Sequence, residues 1–169
     1  GNASIAQMTQ AFQAELAIRQ GRSSEAHRWV QRCAPESLAP ALRFYLPHLT
    51  WTKVLLTQKT DSARGKAADM LDKMADFFAS THNFPVLMAV KLQQALLWDM
   101  IGEQETAHDA LQQAIALAEP GGQIRPFLDL GSPMAELLNR MVNEKFANGY
   151  TRQIMEAFGN NKAYAKPSS

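Results

Sequence analysis

Apolar side chains recur along this chain at steps of three and four, with polar residues between them and no β-branched run. That periodicity belongs to helices that bury one face. From about Ser4 to Gln20, Ile5, Met8, Phe12 and Leu16 make one stripe with the Arg19 stem at its edge. Gly21 ends this helix, and Ser23 or Ser24 caps the next, whose Ala26, Trp29, Val30 and Cys33 make a second stripe closed by Pro35. A second pair starts with a helix over about Leu38 to Gln58, opened by Pro40 and kinked or divided at Pro47, carrying Leu49, Thr52, Leu55 and Leu56. The stretch "KTDSARG" reads as its turn, and Ala67, Leu71, Met74, Phe77 and Phe78 line the partner helix. A third pair covers about Phe84 to Met100, capped by Asn83, and Thr106 to Ala118, with "IGEQE" between them.

Beyond the third pair, a short helix over about Gln123 to Leu130 leads to one beginning near Ser132-Pro133, with Met134, Leu137, Leu138 and Met141 on its apolar face. A last helix, about Asn148 to Phe158, offers Tyr150, Ile154 and Phe158. The pattern predicts a single helical-repeat domain over 1–159, with hairpins at about 4–35, 38–80 and 84–119 and C-terminal helices at about 123–159. Residues 160–169 are expected to be a flexible linker or tail.

Superposing the pairs exposes an internal repeat. Ala14, Ala17, Gly21, Ala26, Val30 and Cys33 have the same spacings as Ala95, Trp98, Gly102, Ala107, Leu111 and Ala114. The middle pair keeps Thr52, Leu55, Lys59, Ala67, Leu71 and Met74, with three extra residues between Lys59 and Ala67. Small residues let two antiparallel helices approach closely, glycine permits a tight reversal, and larger apolar residues fill the gap to the next hairpin. The fold class that follows is all-α.

The stretch "QALLWDMIGEQETAHDALQQAIALAEP" carries this register most clearly, with Ala95, Gly102, Ala107 and Ala114 at small positions and Trp98 at an aromatic one. In these residues the chain resembles the tetratricopeptide repeat, and the resemblance implies a right-handed superhelix of antiparallel helix pairs. Thr52 and Lys59 stand where that repeat prefers a small residue and glycine, and Cys33 and Met74 stand in for a final alanine. From about Pro47 to Phe158 the chain also resembles the helical-repeat region of LuxR-type, MalT-like transcriptional regulators. The marks are "LLTQKTDSARGKAADMLDKMADFFASTHN", then Glu-Pro-Gly-Gly, Arg-x-Phe-x-Asp-x-Gly-x-x-Met and "GYTRQIMEAF" in that order. In such regulators the region follows a nucleotide-hydrolysing module, precedes a DNA-binding helix-turn-helix, and senses an inducer or partner while helping to control self-association. The resemblance therefore implies a small-molecule effector or a protein or peptide partner of unknown identity. It also implies that the ATPase and helix-turn-helix modules belong to the full-length chain. Neither of those flanking modules is found in this sequence, and no phosphate-loop motif occurs, so neither ATP hydrolysis nor DNA binding is assigned to it.

Charge and candidate chemistry narrow the classes. Seventeen basic against sixteen acidic residues, with no Lys/Arg stripe, lack the footprint of a nucleic-acid binder. No apolar run approaches membrane-spanning length, and the sole cysteine, Cys33, precludes an intrachain disulfide, which together suit the cytoplasm. Cys33 falls at a packing position and reads as an inert core thiol. The histidines, His27, His48, His82 and His108, form no metal-ligand spacing. The loop "AEPGGQIRPFLDLG" has glycines beside an arginine but no preceding strand, so Gly121 and Gly122 read as a helix reversal rather than a phosphate cradle. Arg125 and Asp129, four apart, can pair on the short helix that follows. No catalytic residue, cofactor site or metal site is expected, and the chain reads as a non-enzyme.

In stacked hairpins the first helix of each pair lines the concave side. By the repeat register, Glu15, Arg19, Lys53 and Asp99 are the candidates to face that groove and contact a ligand or partner. Their mixed signs suit a polar ligand or a peptide better than DNA phosphate. A stand-alone adaptor that binds a peptide in the same groove stays open as the alternative function.

Overall fold

The computed structural model describes residues 2–33, 46–143 and 148–161, and all regular structure among them is helical. The helices are α1 (Asn2–Arg19), α2 (Ser23–Arg32), α3 (Leu46–Gln58), α4 (Asp61–Ser80), α5 (Phe84–Ile101), α6 (Gln104–Ala118), α7 (Arg125–Leu128), α8 (Ser132–Asn143) and α9 (Gly149–Asn160). They group into two compact units, residues 1–80 and 81–169. The first holds the antiparallel pairs α1–α2 and α3–α4; the second holds α5–α6 and the three C-terminal helices. The all-α fold of repeated helix pairs is the one the periodicity predicts.

The repeat register reappears in the backbone. Gly21, Lys59 and Gly102, equivalent by spacing, all take positive φ, at 74°, 56° and 95°. At two of these turns the amide just after the glycine reaches back five residues: Arg22 to the Ala17 carbonyl at 2.8 Å and Glu103 to the Trp98 carbonyl at 2.9 Å. This left-handed cap closes the orphan carbonyls of a helix end. Lys59 makes the same reversal without glycine, at the steric cost a Cβ meets in the left-handed region. We therefore expect Lys59→Gly to stabilise residues 1–80 by roughly 0.5–1 kcal/mol, the relieved strain outweighing glycine's extra entropy in the unfolded chain. Chemical denaturation would show it as a higher midpoint at unchanged slope; a lower midpoint would refute the equivalence of the three turns.

The small positions are buried as the register requires: Ala14, Ala17, Ala26, Ala67, Ala95, Ala107 and Ala114 all lie in the core. Thr52, the polar exception, is wholly buried, and its hydroxyl donates back to the carbonyls of His48 at 3.2 Å and Leu49 at 3.0 Å. A hydroxyl satisfied within its own helix occupies a small-residue position without an unpaired polar atom.

The structure corrects several local expectations. "KTDSARG" is not the turn: the reversal is confined to Lys59 and Thr60, and α4 starts two residues after Lys59, just as α2 and α6 start two after their glycines. Thr60 caps α4, its hydroxyl accepting from the Ala63 amide at 3.2 Å. The three extra residues become nearly one more helical turn, which places Ala63 on the buried face. Neither Ser23 nor Ser24 caps α2; the cap position is Arg22, with no side-chain bond. Asn83 does hold the cap position of α5, but it is its carbonyl, not its side chain, that accepts, from the Leu87 amide at 2.9 Å. Phe77 is half exposed and stacks edge-on against buried Phe78 instead of lining the core. Pro47 is the second residue of α3, where a missing N–H is tolerated. Pro35, Leu38 and Pro40 lie outside the described residues.

In residues 81–169 the C-terminal helices meet their predicted faces. Met134, Leu137, Leu138 and Met141 of α8 and Tyr150, Ile154 and Phe158 of α9 are buried against α6 residues such as Leu111 and Ile115, with Phe127 among them. Asn148 caps α9 by accepting from the Thr151 amide at 2.8 Å and the Thr151 hydroxyl at 2.9 Å. The loop after α6 is a reversal: a 3-10 turn at Glu119–Gly121, then left-handed Gly122, with the Gln123 amide returning to the Ala118 carbonyl at 3.2 Å. Gly121 lies within the 3-10 turn, so only one of the two glycines makes the left-handed turn.

Candidate interaction face

The side chains that could meet a partner begin with a reversal on α1. Of the stripe expected to be its core face, Ile5, Phe12 and Leu16 are exposed at 65%, 65% and 44% and Met8 is half-buried, while the fully buried face is instead Ala11, Ala14 and Ala17. A helix can present only one face to its hairpin partner, and close approach to α2 selects the alanines. Residues 5, 12 and 16 then fall together on another line of the helix, seven and four apart. Phe12 and Leu16 therefore stand one turn apart in solvent, with Ile5 on the same line two turns before Phe12. Scattered exposed apolar residues are ordinary; three aligned on one face of a helix make a candidate interaction surface.

Beside that row lie three of the four predicted groove residues. Glu15 of α1 holds Lys53 of α3 in an ion pair, with the two side chains only 15% and 17% exposed. Arg19 reaches the same Glu15 oxygen at 3.4 Å from one helical turn away, and its guanidinium is about half exposed. One carboxylate thus serves two cations, the first firmly and in a partly buried setting, the second at long range and open to water.

Asp99, the fourth, belongs to the other unit and meets Arg140 there. The Arg140 guanidinium donates to its carboxylate at 2.5 Å, tying α5 to α8. Arg140 was not among the sequence candidates; the pair spans 41 positions, and no local spacing announces it. The predicted Arg125–Asp129 pair forms at 2.9 Å on and just past α7, with its arginine largely exposed.

The remaining polar groups do structural work. His27 Nε2 and the Thr57 hydroxyl lie 3.0 Å apart, linking α2 to α3, and His82 stacks edge-on against Phe84. Cys33 is half buried, and burial pushes its thiol above the usual range, which keeps it protonated at neutral pH. Burial, and then the Glu119 carboxylate, push the Tyr150 phenol up. Among the described residues, no three His, Cys, Asp or Glu side chains converge as metal ligands would, and no helix is long and apolar enough to cross a membrane.

A family model described as the MalT-like TPR region matches residues 2–144. No curated protein and no solved structure matches the chain.

Proposed function

The chain belongs to the MalT-like TPR family, helical regions of a kind that mediates protein interactions, and from that premise we propose that it is the effector-sensing and protein-interaction region of a LuxR/MalT-like transcriptional regulator. In this reading residues 1–159 work as a single domain in the cytoplasm. The ATPase and helix-turn-helix modules of the full-length regulator are its partners. The chain performs no chemical step and needs no catalytic residue or cofactor. Its mechanism is population shift: an effector or partner that binds one assembly state better favours that state in proportion to the difference in affinity.

The observation that carries the reading is the exposed Ile5–Phe12–Leu16 row beside the Glu15–Arg19–Lys53 cluster. An apolar row flanked by both signs of charge suits a peptide or a polar effector with an apolar body. Glu15, Arg19 and Lys53, with Asp99 in the other unit, are the proposed contacts.

A thermal-shift panel of sugars, nucleotides, amino acids and short peptides tests it. A ligand at a hundred times its dissociation constant adds about 2.7 kcal/mol, a rise on the order of 5–10 °C for this size. Arg19→Gln with Lys53→Gln is then expected to weaken the hit by about tenfold, the loss typical of charge-assisted hydrogen bonds. Hits confined to peptides support the stand-alone adaptor instead, and a panel with no saturable shift sinks effector sensing by this chain. An unchanged affinity in the double variant removes both residues from the site.

A further inference from the structure

α1 and α2 meet through alanines, and small contact residues leave room along the edge of the seam. Ala14, Ala17 and Trp29 floor a cleft of about 620 Å³ there, within the range of roughly 300–1,000 Å³ typical of small-molecule sites. One wall carries Gln7, Gln10 and Gln13 at steps of three along α1; the other carries Arg28 and Arg32, four apart on α2. By helical periodicity Gln7 and Gln10 lie well away from the Ile5–Phe12–Leu16 row, while Gln13, three residues from Leu16, stands at the border between the two surfaces.

Among the described lining residues, positive charge outnumbers negative. Glu25 also lines it but is held in an ion pair by Arg22. Arg32 Nε donates to the Arg28 carbonyl at 3.2 Å, which lays its guanidinium along the helix. Among the described residues, neither Arg28 nor Arg32 has a carboxylate partner. Like charges four apart on a helix repel, and a bridging anion removes that repulsion. Guanidinium forks match carboxylate and phosphate oxygens, while glutamine amides can donate to or accept from a neutral polar body.

We propose that the α1–α2 cleft binds a small organic oxyanion, its charged group held between Arg28 and Arg32 and its neutral polar body lying along Gln7, Gln10 and Gln13. A polycarboxylate and a phosphoester share this chemistry. The proposal deepens the effector-sensing reading and rests on it only for its regulatory meaning, since the binding itself belongs to this chain.

The test is calorimetric titration of citrate, and separately of inorganic pyrophosphate, into the chain at ionic strength held constant with sodium chloride. Saturable binding that weakens as salt is raised is expected. Arg28→Gln with Arg32→Gln should lower the affinity by about tenfold or more. The double variant should keep the ligand-free melting midpoint, because both arginines are exposed. A preference for citrate assigns a carboxylate ligand, and a preference for pyrophosphate assigns a phosphate. No saturable binding of either anion overturns the proposal, and so does equal binding by wild type and double variant. Loss of binding in Arg19→Gln with Lys53→Gln, and not in the cleft variant, also overturns it by moving the anion to the other surface. Anion binding that needs Arg28 and Arg32 but leaves the full-length regulator's self-association unchanged upholds the cleft and counts against effector sensing.

Discussion

Phe127→Ala is expected to destabilise residues 81–169 by about 3–5 kcal/mol, the range for deleting a fully buried phenylalanine ring. Phe127 is 0% exposed and sits on α7, a helix of four residues. One helical turn cannot hold itself in water, because nucleation fixes several dihedrals for a single hydrogen bond. α7 is therefore held by its side chains, and it packs against both α8 and α9. Removing the ring leaves a cavity where these helices meet and frees the turn that places Gly131 and the start of α8. For a chain of this size each kcal/mol corresponds to roughly 2–4 °C, so the midpoint followed by circular dichroism should fall by about 6–20 °C. A fall of only a degree or two would mean that α7 is peripheral, and that the Arg-x-Phe-x-Asp stretch does not organise the C-terminal helices.

Ala107→Leu should produce the second large effect, about 1–3 kcal/mol of destabilisation by overpacking. Ala107 is fully buried on α6, which packs against α5, where Ala95 is equally buried. Three added carbons at the closest approach of two helices must either part them or force a strained rotamer. Ala116 is exposed on the same helix; there the same replacement is expected to change stability by no more than about 0.5 kcal/mol. Denaturant midpoints of the two variants, measured side by side, decide the matter. Equal midpoints would show that apolar content, rather than the small-residue register, holds the third hairpin together.

The two replacements probe levels of organisation that differ in how far they can be read from sequence. The small-residue register was legible because it repeats: Ala95, Gly102, Ala107 and Ala114 echo Ala14, Gly21, Ala26 and Cys33 at equal spacing. Even degenerate Lys59 keeps the register, taking the left-handed φ of its glycine counterparts. The apolar faces of α8 and α9 were legible for a similar reason, each being a short helix with one unambiguous stripe. α1 was not, because it carries two competing faces. One bears large apolar residues and the other bears alanines, and periodicity alone favours the larger side chains.

The candidate site divides in the same way. Arg19 and Glu15 lie four apart, so their meeting follows from the helix itself. Glu15 and Lys53 are 38 positions apart and meet only because α1 packs on α3. Register placed both on first helices of their pairs but could not pair them. Arg140, the partner of Asp99, had no signal at all, since it comes from a C-terminal helix outside the repeat.

What the sequence by itself determined, then, is the set of helices, their reversals and the repeat that relates them. Those depend on interactions within a few residues: one turn of hydrogen bonds, the φ of a single cap, and the spacing of small side chains. Only the tertiary structure decided which face of α1 is buried, where the inserted residues of α4 go, and which charges neutralise one another. Those outcomes depend on how closely two helices approach across tens of residues, and that distance is set jointly by every side chain in the seam.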